Sequence, residues 1–213
     1  MKLILLLFIV FLSPILFAQT PDLTAEFDNS RFSLSIGPTF PIGSFANITD
    51  GAAKTGIGVS ADLSIGSTPS WFSTLNISYN GVSNGALGVP QGVSVSYGPW
   101  WTIWPMSGMK LQWDVSQITT FYVAGQIGLL IGVSPGVSVS SSGGSATISS
   151  DAGVTFAAGL GGGVVINNQF IVGAKYLYGK PEYDLKIVDV GVSNTAHVQQ
   201  STSIIMLTLG LKL

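Results

Sequence analysis

Ile57, Val59, Ala61, Leu63 and Ile65 alternate without a break with Gly56, Gly58, Ser60, Asp62 and Ser64, and the same period of two recurs along the chain. In an extended backbone successive side chains point to opposite faces, so each such segment is a strand with one large apolar face and one small or polar face. Beyond residue 18 no apolar run is long enough for a spanning helix, which needs about 20 residues. The alternating segments are of about ten residues and are separated in turn by short turns and long polar stretches, the pattern of a transmembrane β-barrel.

Composition points the same way. Only 8% of residues are charged, 46% are hydrophobic and 27 are glycine. Such a chain is too uncharged for an ordinary soluble surface and too polar for a bundle of membrane helices. A secreted β-sandwich or lipocalin-like cup would carry charge on the solvent face of each strand, whereas here the charges fall mainly between the strands. The first segment, 1–18, has Lys2, an apolar stretch and a small residue at Ala18, and reads as a signal peptide cleaved after Ala18. Ser13-Pro14 interrupts the run too early for a membrane anchor. Residues 19–30, with Asp22, Glu26 and Asp28, read as a short solvated periplasmic leader, and 31–213 as the barrel domain.

The chain has no cysteine, which excludes a lipid attachment site, a disulfide framework and a cysteine-based metal site. Loss of Lys2 leaves 7 basic against 10 acidic residues, a net charge of −3 with no basic tract for phosphate backbones, so nucleic acid is excluded as a partner.

Eight strands follow from the alternation. They run from Arg31 with Phe32, Leu34 and Ile36 outward; over 56–65; from Trp71 to Tyr79; near 100–113; from about Thr120 to Ile131; from Val154 to Val164; from Phe170 to Tyr178; and to the end with Ile205, Leu207, Leu209, Leu211 and Leu213 outward. Gly66–Ser70 and Asn167-Asn168 have the residues of tight turns. Long loops are expected at 41–54, from Asn80-Gly81 onward, at 134–152 and at 180–201. The serine- and glycine-rich stretch 134–152 is expected to be mobile, because it has too little to bury. An even strand count returns the C-terminus to the side where the barrel begins, as closure of an antiparallel, up-and-down barrel requires.

Gly37-Pro38 with Pro41, Gly43 and Phe45 after the first strand, Asp151-Ala152-Gly153 leading into Ala158-Gly159-Leu160-Gly161, and Ala174-Lys175-Tyr176 together resemble the small outer-membrane β-barrel family called PorT-like, in the company of eight-stranded OmpX- and OmpA-type barrels of Bacteroidetes-type bacteria. The resemblance covers residues 31–213 and implies an outer-membrane location. Barrels of this kind commonly end on an aromatic residue, whereas this chain ends on Leu213.

Candidate sites are few. Asp62, Lys175 and Lys212 are the charges on inward faces, and Asp62 is expected to pair with Lys212 across the first strand or with Lys175 across the lumen. Trp71, Tyr79, Trp100, Trp101, Trp104, Trp113, Tyr176 and Tyr178 are expected to form an aromatic girdle at the bilayer interfaces. Gly132-Val133-Ser134-Pro135-Gly136 fits the G-x-S-x-G string of hydrolases, but the elbow needs a strand that turns into a helix, and serine-rich loop follows. His197, the only histidine, is expected in a loop with Asp184 and Asp189 at no catalytic spacing. Glu182, Asp184 and Asp189 match no calcium-loop pattern, and Gly159–Gly163 lacks the lysine and helix of a phosphate cradle. No cofactor, metal or catalytic residue is therefore expected.

The sequence thus predicts an integral outer-membrane barrel of the cell envelope, porin-like in architecture but with a lumen filled by side chains, since eight strands enclose little more than that. Its partners would be the lipid bilayer, the barrel-assembly machinery, and an extracellular or envelope protein met through the long loops. A small lipid-modifying enzyme, such as a lipid hydrolase, and an accessory of a secretion or assembly system are the alternatives.

Overall fold

The computed structural model describes residues 31–66, 68–83, 93–141, 144–189 and 192–213; the expected signal peptide and leader lie outside this range. Thirteen strands occur in the described residues: β1 Arg31–Pro41, β2 Ala53–Ile65, β3 Ser70–Val82, β4 Ser94–Tyr97, β5 Trp100–Ser116, β6 Thr119–Val133, β7 Val137–Ser141, β8 Gly144–Ser150, β9 Gly153–Ile166, β10 Phe170–Gly179, β11 Glu182–Asp189, β12 Val192–Gln199 and β13 Thr202–Lys212. Eight of them close into a barrel in the order β1-β13-β10-β9-β6-β5-β3-β2, every pair antiparallel. Each strand pairs with its predecessor and successor within the barrel, and β1 meets β13 to close it, with Ser33 opposite Lys212 and Ile36 opposite Leu209. Closure leaves no open edge, which is what a backbone surrounded by hydrocarbon demands.

Local chemistry explains the boundaries. Asn167 and Asn168 both adopt positive φ, 52° and 55°, as the two central residues of a type I′ hairpin turn do. Pro105 sits inside β5, a place where proline is poorly tolerated. It pairs with Leu75 on the β3 side, but toward β6 the ladder skips from Ile103–Ile131 to Met106–Gly128. The missing amide hydrogen therefore costs a local break and no change of register. Glycine lets the wall close tightly at Gly37, where an added Cβ would lie 1.9 Å from the Leu207 carbonyl oxygen.

The long connections depart from expectation. Residues 134–152 and 180–201 are not free loops: they carry β7, β8, β11 and β12, which join β4 in a second sheet of order β12-β11-β8-β7-β4. Alternation of valine with serine in Val137-Ser138-Val139-Ser140 is enough for a strand once a neighbour supplies the missing hydrogen bonds, as β8 does on one side and β4 on the other. The stretch from Pro41 to Lys54 contains a short 3-10 turn, Gly43–Phe45, that carries Phe45 into the interior. Asn80, expected to open a loop, lies inside β3 and is buried, its amide donating to Thr39 Oγ1 and to the Lys54 carbonyl at 2.9 Å each; Asn84-Gly85 falls outside the described residues.

Candidate functional site

The lumen has two halves of different chemistry. At the long-loop end Phe45, Trp100, Trp104, Met106, Leu130, Leu177 and Ile204 pack into an apolar cluster that also takes in Tyr183 from β11. Phe45 and Tyr183 both meet the Trp100 ring edge to face, with centroids 5.3 and 5.8 Å away, an arrangement favoured by the ring quadrupoles. The Trp100 indole N–H donates to the Gly51 carbonyl at 2.9 Å, and that of Trp104 donates to Thr102 Oγ1 at 2.7 Å. Burial raises the Tyr183 phenol pKa above its ordinary value of 10.0.

Trp100 and Trp104 are thus not girdle residues: they are 5% and 0% exposed and fill the lumen. Even-numbered residues of β5 from Trp100 to Lys110 point inward, odd-numbered ones outward, and adjacent tryptophans cannot both face the bilayer. Trp101 and Trp113 do lie on the outer wall, as do Trp71, Tyr79, Tyr176 and Tyr178. Tyr79 and Trp101 meet edge to face on neighbouring strands, with centroids 5.0 Å apart.

Toward the short-turn end the lumen is polar. Lys175 Nζ reaches both oxygens of Asp62, at 2.9 and 3.2 Å, and also donates to Ser60 Oγ at 2.5 Å and Asn76 Oδ1 at 3.1 Å. Of the two pairings open to Asp62, the structure has the one across the lumen. Lys212 does not pair with Asp62 and instead donates to Asn168 Oδ1 at the turn. An ammonium held among neutral and anionic oxygens in this way is satisfied despite burial.

The sequence reading missed Lys110, which shares the inward parity of Trp104 and donates to Ser64 Oγ at 2.6 Å with its ammonium 5.8 Å from the Tyr122 ring centroid. Strict parity along β5 would have found Lys110. Gln126, which the alternation of the fifth barrel strand turns inward, is 5% exposed in the wall of the same chamber. Phe45 and Tyr183 come from outside the barrel strands and had no such signal.

The outer wall is a continuous apolar surface, with Phe156 87%, Ile127 73% and Leu160 66% exposed. The charges in the middle of barrel strands, Asp62, Lys110 and Lys175, all line the lumen.

Above the long-loop end, His197 and Asp184 are cross-strand partners in the β11–β12 hairpin, with Nδ1 and Oδ1 2.6 Å apart. The imidazole is 81% exposed, so the pair lies in a regular hairpin rather than a loop, and out in solvent. Ser134 follows β6 with β7 after it, so the helix that gives G-x-S-x-G its mechanical meaning is replaced by a strand. Among the described residues no group of three or more His, Cys, Asp or Glu side chains is placed to hold a metal ion. Lys186 donates to Asp151 Oδ2 at 2.9 Å, joining β11 to the start of β9.

No family model matches the chain. No curated protein matches it either. Among solved structures it is similar to Neisserial surface protein A, with 12% identity, 86% of this chain and 96% of that chain covered, and a TM-score of 0.49. It is also similar to Ail, the attachment invasion locus protein of Yersinia pestis, in complex with the heparin analogue sucrose octasulfate, with 14% identity, 86% and 97% coverage and a TM-score of 0.48. A third is the outer membrane protein OprG from Pseudomonas aeruginosa, with 12% identity, 86% and 94% coverage and a TM-score of 0.46.

Proposed function

We propose that the chain is an integral outer-membrane barrel with a plugged lumen that holds a five-stranded sheet outside the cell as an interaction surface. The apolar outer wall supports the membrane part, since a soluble monomer rarely exposes apolar patches of more than a few hundred Å2. The cluster around Trp100 and Trp104 supports the absence of a diffusive path, because it fills the lumen across the loop end.

The observation that carries the interaction reading is that three of the long connections contribute strands to one sheet, β12-β11-β8-β7-β4, whose terminal strand β12 pairs on one side only among the described residues. Ordering backbone costs about 1–2 kcal/mol per residue, so loops with no use for a fixed shape gain nothing from it. The β12 sequence, Val192-Ser193-Asn194-Thr195-Ala196-His197-Val198-Gln199, has none of the lysine, aspartate or proline with which edge strands are usually guarded. An extended segment of a protein partner could add to it by main-chain hydrogen bonds. The likeness to PorT-like barrels, which rests on the sequence residues, makes a secretion or assembly component one such partner.

Absence of cysteine makes a clean test available. A Thr195→Cys chain on intact cells is expected to react with a membrane-impermeant maleimide, and the folded barrel is expected to migrate differently from the boiled one on a gel. Purified protein in planar bilayers is expected to give no conductance steps. Labelling only after lysis, or stepwise currents, would overturn the reading. Lipid hydrolysis abolished by His197→Ala would replace it with an enzyme.

A further inference from the structure

Among the described residues, the turn-end chamber of the lumen has more positive charge than its lining neutralises. It is a cavity of about 50 Å3 whose lining includes Arg31, Lys110, Lys175 and Lys212 but, among acids, Asp62 alone. Asp62 is already engaged by Lys175 through both oxygens. The hydrogen bonds of Lys110 and Lys212 go to neutral oxygens, those of Ser64 and Asn168.

A second observation is independent of charge. The Gln126 side chain, 5% exposed, lines this chamber, and neither its Nε2 nor its Oε1 has a hydrogen-bond partner among the described residues. Buried amides are seldom left so, because each orphaned polar group costs about 1–3 kcal/mol. The chamber opens on the short-turn side toward a vestibule of about 690 Å3, lined by Arg31, Gln112, Lys212 and Asn168 and by one carboxylate, Asp114, which accepts from Thr120 Oγ1 at 2.6 Å.

We propose that this chamber is an anion site that takes one hydrogen phosphate ion between Lys110, Gln126 and the Arg31–Lys212 mouth. Cations without a carboxylate partner in a partly desolvated pocket call for an anion. Gln126 narrows the class: its amide atoms face no open space in this structure, but turned toward the ion the Nε2 needs an acceptor and the Oε1 needs a donor. Hydrogen phosphate offers both on one ion, P–O⁻ to the amide and P–OH to the carbonyl. Sulfate and carboxylates are acceptors only at neutral pH. The size of the chamber admits one such group, and the vestibule is its route of entry.

The test is calorimetric titration of the full chain, folded in non-ionic detergent without phosphate groups, with inorganic phosphate and with sulfate at equal ionic strength. Phosphate is expected to bind saturably, one per chain, and more tightly than sulfate. Lys110→Met is expected to weaken phosphate binding about tenfold, the effect of losing one charge-assisted hydrogen bond. Arg31→Gln, at the strand end where folding is least sensitive, is expected to weaken it by a smaller factor. Gln126→Leu is expected to leave binding but remove the preference over sulfate. No saturable binding, equal binding of sulfate by the unaltered chain, or phosphate affinity unchanged in both Lys110→Met and Arg31→Gln would overturn the proposal.

Discussion

The two halves of the lumen are made by the same eight strands with the same alternation, yet one is a packed aromatic core and the other a hydrogen-bonded chamber. At the loop end the inward positions hold Trp100, Trp104, Met106, Leu130, Leu177 and Ile204. At the turn end they hold Asp62, Lys110, Lys175 and Gln126. Period two decides only which residues face in. Whether the inside is dry and filled or polar and partly open depends on the volume of those residues, and the loop end is completed by Phe45 and Tyr183 brought from outside the barrel. A barrel can therefore be sealed at one end and left open to solutes at the other with no change in its wall.

The contrast can be tested by removing one residue from each half. Trp104→Ala should have the largest effect, because it empties the middle of the packed half; about 3–5 kcal/mol of unfolding free energy should be lost, read from urea unfolding in micelles. A loss below 1 kcal/mol would mean that the apolar half is not a core.

Asp62→Ala should cost less, about 2–3 kcal/mol, since breaking a buried ion pair strands its partner, but Lys175 keeps Ser60 and Asn76 and the chamber admits water. Combining it with Lys175→Met should restore part of that loss. An unchanged denaturant midpoint for Asp62→Ala would show that the pair contributes nothing to stability.

The smallest effect depends on pH and belongs to the seal. Burial holds the Tyr183 pKa above its ordinary value of 10.0. As pH rises past 10.0 the unfolded chain releases that proton while the folded chain keeps it, so folding stability must fall over this range. Tyr183→Phe should remove this share of the alkaline loss, leaving a shallower decline above pH 10 than in the unaltered chain. Parallel declines in the two chains would mean that the phenol is not sealed from water.

Much of the barrel was legible because its rule is local. Phe32, Leu34 and Ile36 against Ser33 and Ser35, or Ala174 and Tyr176 against Lys175, state their faces in a few residues. The Asn167-Asn168 turn was legible because positive φ suits asparagine. Trp100 and Trp104 were misread for a related reason: residue type suggested an interface, while parity, the stronger rule inside a strand, placed them in the lumen. The second sheet was illegible because Val137–Ser141 and Val192–Gln199 are weak strand formers alone. Each has a ladder with a strand adjacent in sequence, β8 or β11, but the two hairpins become one sheet only through residues distant in sequence, such as Leu185 opposite Ser150.

By itself the sequence determined the eight barrel strands, their outward and inward faces and hence the closed wall, all consequences of side chains alternating about an extended backbone. Tertiary structure alone decided the seal, the Asp62–Lys175 pair, the chamber beside it and the sheet over the barrel. Each of these joins residues far apart in the chain, and their contact depends on barrel closure and register, which no local pattern encodes.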